Sequence, residues 1–322
     1  MNNPLISIVV ICYNRRDYLQ QTMESVFAQT YSPVEVVILD DGSTDNTYEL
    51  IATYGNKVRY VWQENQGVVA ARNAGCRLAE GEFVAFQDDD DLMVPDRIVT
   101  LYEALRRYPS ATVAVGDCVH IDVNGNLTGR RSRANFPIYG DDPVLIKDAH
   151  KAMILQEVDP KPHTTLFRKS AGDRIGWFDN RFIHAASDTD FFARCGQLGP
   201  IVYVPKVVSY YRRGHEAITS KDKDIIVAYS RFLLLEKHLN SLGIEQQELR
   251  KKLETRLLMA MKKIAFCESK GQKLPDSIQN DYVNRGLALL GITRRLSYRW
   301  SFFIKFPIRK MIRSVIPQWK RI

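Results

Sequence analysis

The sequence predicts an α/β fold: a mostly parallel, Rossmann-like sheet flanked by helices, followed by a helical C-terminal region. Three observations predict it. Apolar β-rich runs alternate with helix-period segments over residues 6–92. Each run ends in polar residues, and beyond residue 220 the strand signals give way to amphipathic helices.

With 322 residues, 45% of them apolar and 25% charged, the chain can bury a large core. Its five cysteines (Cys12, Cys76, Cys118, Cys195, Cys267) are scattered and form no C-x-x-C pair, which disfavours zinc and redox roles and suits a reducing cytosol. No stretch reaches eighteen apolar residues, and the N-terminal apolar run is too short for a leader or a spanning helix. Residues 291–322 hold nine Lys and Arg and no Asp or Glu, against a net charge of +8 for the whole chain. The rest is therefore close to neutral, which argues against a nucleic-acid footprint.

"ISIVVICYN" (Ile6–Asn14) reads as a buried parallel strand. Asp17 precedes a helix with Leu19, Met23, Val26 and Phe27 at helical spacing, which stops before Pro33. "VEVVILDD" (Val34–Asp41) is a second strand, "STDNTYELIATYG" a helix with Asp45 as its expected N-cap, and "VRYVWQE" (Val58–Glu64) a third strand. "GVVAARNAGCRLAEG" is a helix opened by Gly67, and "EFVAF" a fourth strand. Ligands of such sheets bind at the carboxyl ends of the strands. Those ends carry Tyr13 and Asn14, Asp40 and Asp41, Glu64 and Asn65, and Asp88 to Asp91.

The last group, in "FQDDDDL", is the most pointed signal. Four adjacent carboxylates at a strand end repel one another unless cations or donors neutralise them. A hard divalent ion held by one or two carboxylates and completed by phosphate oxygens is one remedy. The other reading makes Asp90, Asp91 or Asp96 a cap for the helix that begins near Pro95.

The strings "SIVVICYN", "ILDDGSTD", "NQGVVAARNAG", "FQDDDDLMVP" and "SDTDFFAR" occur in this order over residues 7–220 and resemble the family 2 glycosyltransferases, whose fold is GT-A. The resemblance implies an inverting transferase using Mn²⁺ or Mg²⁺ and a nucleotide-diphosphate sugar donor. Residues 1–92 would be the nucleotide-binding half, 93–220 the acceptor-binding half and 221–322 a helical basic extension. The family's D-x-D-D-x-x-x-P pattern falls on Asp88, Asp90, Asp91 and Pro95, with Gln87 where an aliphatic residue is usual. By that match Asp88 faces the ribose of the nucleotide sugar and Asp90 holds the metal on the diphosphate, while Tyr13, Asn14, Asp41 and Arg72 complete the nucleotide cradle. Asp188 falls on the catalytic base, with Ser187 where the family often has an acid; that departure leaves Asp190 as the alternative. His215, after Arg212 and Arg213, would join the metal.

In the second half, "PDRIVTLYEALRRYP" reads as a helix, "ATVAVGDCVHIDVNGNL" as a strand entering a hairpin, residues 129–160 as irregular, and "IVYVPKVV" as an edge strand. His163 and Thr164 are candidates for an acceptor pocket. Leu249, Leu253, Leu257, Met261 and Ile264 define an amphipathic helix. In residues 294–316, Trp300, Phe303, Ile304, Ile308 and Met311 share one face and Arg295, Arg299, Lys305, Arg309 and Arg313 the other. This pattern predicts an interfacial helix on an anionic membrane, and hence a cytoplasmic protein peripheral to the inner face of the membrane. The expected acceptor is a glycan or lipid-linked glycan, as in polysaccharide synthesis. Two rivals are a non-catalytic membrane-surface scaffold of the same fold and a nucleotidyltransferase, which would carry a glycine-rich loop where this chain has "CYNRRDY".

Overall fold

The computed structural model describes residues 3–132, 140–182, 185–214 and 224–285, the last range without 276, 277, 280 and 283. Contacts divide the chain into two compact units at Ser220/Lys221. The predicted tail helix and His215 lie outside the described residues.

The first unit opens with β1 (Ile6–Cys12), α1 (Arg16–Phe27), β2 (Val34–Asp40), α2 (Thr47–Ala52), β3 (Arg59–Trp62), α3 (Val68–Leu78) and β4 (Phe83–Asp88). These four strands pair in parallel in the order β3-β2-β1-β4. β1 is buried along its whole length because it has a neighbour on each edge and helices on each face. Ile6, Ile8 and Val10 join Leu19, Met23 and Val26 of α1 in one cluster. On the other face α3 comes close enough that a Cβ at Gly75 would collide with Val9. The alternation of two buried faces is what the continuous apolar run encodes.

The acidic run is followed by β5 (Leu92–Met93) and α4 (Arg97–Arg107), then β6 (Val113–Ile121), β7 (Leu127–Ser132), β8 (Val144–Ile146), α5 (Ala149–Ile154), β9 (Thr165–Arg168), α6 (Lys169–Ile175), α7 (Ser187–Leu198) and β10 (Ile201–Arg212). The sheet continues β4-β9-β6-β10-β5, with β9 antiparallel to both β4 and β6. The hairpin forms as expected, with Gly125 at φ +89° in its turn and Asp122 N–H donating to the Asn126 carbonyl.

Three expectations change. β10 is no edge strand: it pairs with β6 along its length and with β5 and β8 on its other side. Residues 129–160 are not uniformly irregular, since β8 and α5 form there. Asp45 does not cap α2, because Asn46 turns through φ +59° between Asp45 and the helix. The Asp45 carboxylate instead accepts from the Arg16 N–H and so caps α1.

In the second unit α8 (Asp224–Asn240) and α9 (Gln247–Ser269) pack together. Leu249, Leu253, Leu257, Met261 and Ile264 are all buried, as their spacing predicts.

Candidate active site

Strand register brings the polar strand ends together. Cys12 pairs with Asp40, Asp40 with Trp62, and Ile11 with Asp88, so Tyr13, Asp41 and Asp88 leave the sheet at one edge. The strand order reverses between β1 and β4, where open α/β sheets bind ligands. Asn14, at φ +51°, accepts from the Thr44 N–H at 2.7 Å and so ties the end of β1 to the loop after β2. The Tyr13 ring remains exposed. Asp41 accepts from Gln63 Nε2 (2.7 Å), Gln66 N (3.0 Å) and Gly67 N (2.9 Å). The anion at the N-terminus of α3 is therefore the protein's own carboxylate. Gly42 makes this turn possible: it has φ +88°, and a Cβ there would press on the Asn65 amide nitrogen.

Each of the four aspartates is neutralised differently. Arg72 Nη2 donates to Asp88 Oδ1 at 3.0 Å. Burial would raise the Asp88 pKa, but Arg72, His163 and Arg15 bring it below the ordinary value. Asp89 is buried and accepts from the Tyr13 N–H at 2.9 Å; burial pushes its pKa up to about 7 against the pull of Arg15. Asp90 pairs with the Arg15 guanidinium. Asp91 is 1% exposed and accepts from the Arg212 N–H at 2.8 Å; burial and the Asp88 charge hold its carboxyl well above the usual range. None of Asp90, Asp91 and Asp96 caps α4 with its side chain, and Asp96 instead accepts from the Thr30 hydroxyl. Arginine side chains and backbone N–H donors thus supply part of the neutralising for which a cation was one remedy.

Gln87 departs from the usual aliphatic residue because Arg97 lies beside it. Arg97 is fully buried and donates to Gln87 Oε1 (2.8 Å), the Phe86 carbonyl (2.8 Å) and the Thr165 carbonyl (3.1 Å). Gln87 Nε2 in turn donates to the Asp91 carbonyl at 2.8 Å. A buried polar pair thereby sets the backbone of the acidic turn.

Arg72 is held over the Phe86 and Phe178 rings at 6.0 and 5.8 Å. Its neighbour Asn73 exchanges hydrogen bonds with the Phe178 backbone in both directions, which fixes the segment leading to α7. At the start of α7 the two candidate bases differ. Asp190 is fully buried, accepts from Arg194 Nε at 2.8 Å, and Arg194 continues to the Ile175 and Trp177 carbonyls. Asp188 is half-buried; burial raises its pKa, while the Arg72 and Lys161 charges pull against that rise.

His163 and Thr164 are 2% and 3% exposed, so they support the site without forming an open pocket wall. His163 Nδ1 lies 2.8 Å from Ser209 Oγ, and burial lowers its pKa to about 3. Arg212 is also structural: it donates to the Asp90 and Val123 carbonyls and to Gln21. Arg15 and Lys161 were not singled out from sequence. The signal for Arg15 was its place directly after the strand-end Tyr13-Asn14 pair.

The family model for glycosyl transferase family 2 matches residues 7–179. The chain belongs to this family. It is 31% identical to the chondroitin synthase of Escherichia coli over 246 residues, which cover 76% of this chain and 34% of that protein. It therefore spans about a third of that relative's length. Among solved structures it resembles S. aureus TarS 1-349 in complex with UDP-GlcNAc, with a TM-score of 0.61, 17% identity, and coverage of 87% of this chain and 78% of that one. It also resembles the mannosyltransferase PcManGT from Pyrobaculum calidifontis, solved with GDP-Man and Mn2+, with a TM-score of 0.58, 17% identity, and coverage of 100% and 89%. The fold is GT-A. Among the described residues of this family 2 chain, no helix is long and apolar enough to cross a membrane. A cavity of about 710 Å³ beside α4, lined by Asp96, Glu103, Arg107, Asp142 and Lys206, includes none of the site residues.

Proposed function

We propose that the chain is an inverting, cation-dependent glycosyltransferase that moves a sugar from a nucleoside-diphosphate donor to an acceptor hydroxyl, in cell-surface glycan synthesis. The observation that carries this reading is the ion pair of Arg72 with Asp88 at the end of β4, with the Arg72 charge also acting on the half-buried Asp188. The UDP-GlcNAc and GDP-Man complexes of TarS and PcManGT support the donor class.

In this reading Tyr13, Asn14 and Asp41 cradle the nucleoside. Asp41 has three protein donors, and a carboxylate accepts about four bonds, which leaves capacity for a base N–H. Arg72 and Asp88 orient the sugar and diphosphate. Asp188 accepts the proton of the acceptor hydroxyl as its oxygen attacks the anomeric carbon. The bond from that carbon to the diphosphate oxygen breaks, and its electron pair leaves with the diphosphate, inverting the centre. Asp188 is preferred to Asp190 in this role because Asp190 is fully buried and bonded to Arg194.

Among the described residues no three metal-ligating side chains cluster. The donor set fits the sparse scheme in which one carboxylate, Asp90, and the donor's own phosphates hold Mn²⁺ or Mg²⁺ after Arg15 gives way. A bound cation would neutralise charge on the departing diphosphate. His215 is the second ligand proposed from sequence. The basic tail, residues 294–316, is assigned to contact with an anionic membrane.

Titration calorimetry with UDP and GDP, in Mn²⁺ and in a chelator, tests the scheme. Asp90→Ala is expected to remove the cation-dependent part of the affinity. Equal affinities for the variant and the parent chain in Mn²⁺ contradict it.

A further inference from the structure

The sheet carries a basic and aromatic face that the transfer chemistry does not use, and the charge of the neighbouring Lys161 acts on Asp188. β7, β6 and β10 run side by side, with Arg131 in register with Val119 and His120 with Tyr211. Side chains alternate across a sheet. Arg131 and Tyr203 both reach Asp117, which fixes one face. The register shifts of β10 after Val204 and Val207 put Tyr211 on the face opposite Tyr203, where the His120 and Tyr211 rings meet edge to face at 5.4 Å and the Arg130 charge acts on His120.

Cations surround these rings. The Arg213 guanidinium lies 4.7 Å from the Tyr211 ring centre and donates to its hydroxyl at 3.2 Å. His163 stacks on Tyr211 at 5.0 Å and brings Lys161, two residues earlier, to the same place. The Lys161 charge acts on His120, Tyr211 and Asp188, and the Arg130 and Arg213 charges act on His120. Lys161 pairs with Asp159 at 2.9 Å. Among the described residues neither Arg130 nor Arg213 pairs with a carboxylate, and both are exposed. A wall for a neutral sugar needs a ring to stack on and hydrogen-bonding groups; it does not need two uncompensated guanidinium groups. Their forks match carboxylate and phosphate oxygens.

We propose that the acceptor is an anionic glycan, whose negative group is held by Arg130 and Arg213 with Lys161, while a sugar ring packs on Tyr211 and His120 beside Asp188. The proposal rests on Asp188 marking the acceptor side. The shared chemistry is an oxyanion, either the carboxylate of a hexuronic acid or the phosphate of a phosphodiester-linked polyol.

The test is calorimetric binding, in the presence of UDP and Mn²⁺, of three probes. These are an oligosaccharide of alternating hexuronic acid and N-acetylhexosamine, the same oligosaccharide with its carboxyls reduced to alcohols, and a phosphodiester-linked polyol oligomer. At least one anionic probe is expected to bind about tenfold or more tightly than the reduced one, since charge-assisted bonds are the strong ones. Whichever of the two binds more tightly identifies the anion. Arg130→Gln with Arg213→Gln is expected to erase that difference, and the corresponding double Lys variant to recover most of it, with thermal midpoints confirming folded protein. Equal binding of charged and neutral probes by the parent chain, or a preference that survives the double Gln variant, overturns the proposal. UDP affinity is read separately, so its loss counts against the transferase reading and not against this one.

Discussion

Arg72 Nη2 donates to Asp88 Oδ1 at 3.0 Å and so joins the first turns of α3 to the end of β4. Arg72→Met would leave the Asp88 carboxylate without its counter-charge. Because the Asp88 side chain is 28% exposed, the expected loss of stability is about 1–2 kcal/mol, below the 3–5 kcal/mol of a fully buried pair. Urea denaturation reads that loss, and calorimetry is expected to read about a tenfold fall in nucleoside-diphosphate affinity. Unchanged affinity would separate Arg72 from the donor site.

Gln87 and Arg97 form a second pair, buried under the acidic turn. Arg97→Leu strands the Gln87 and Thr165 oxygens and is expected to cost about 3–5 kcal/mol. Gln87→Leu combined with Arg97→Leu is expected to cost less than the sum of the single changes, with a coupling of about 1–3 kcal/mol. Additive denaturation energies would mean that the pair does not act as a unit.

Burial raises the Asp188 pKa, and a general base works only when deprotonated. Turnover is therefore expected to rise with pH through an acid limb displaced upward from that of an exposed aspartate. Asp188→Asn is expected to abolish the limb and to lower transfer by about 10²–10⁴-fold while donor affinity persists. Near-normal turnover in Asp188→Asn would remove the assignment.

The basic tail makes a prediction of its own. Its Lys and Arg each contribute about 1 kcal/mol at an anionic surface, and the Debye length falls to about 3 Å at 1 M salt. Sedimentation with anionic vesicles is expected at low salt and is expected to weaken as salt rises. Deleting residues 291–322 is expected to abolish it. Vesicle binding that survives the deletion contradicts the assignment to the tail.

The first strands of the sheet were legible because β1, β2 and β4 are buried on both faces, and such strands read as unbroken apolar runs. β8 and β9 were not, since three and four residues carry too little periodicity to register. The Asp45 cap was misassigned because caps are sought in the adjacent helix, whereas the left-handed Asn46 turns this carboxylate towards α1. Gln87 was visible as a departure, yet its reason, a buried Arg97, is a tertiary fact. Arg15 finds Asp90 75 residues away, a distance that no local pattern encodes. The reason to prefer Asp188 over Asp190, the Arg194 bond, is likewise a tertiary contact.

Proton NMR of a reaction containing an α-linked nucleoside-diphosphate sugar, Mn²⁺ and an acceptor glycan tests the central claim most directly. The account predicts that the donor's α-anomeric signal decays as a β-anomeric signal grows on the acceptor, and that neither change occurs with Asp188→Asn. A product that keeps the α configuration would contradict inversion. Transfer of the nucleotide itself, with the sugar–phosphate bond intact, would contradict glycosyl transfer altogether.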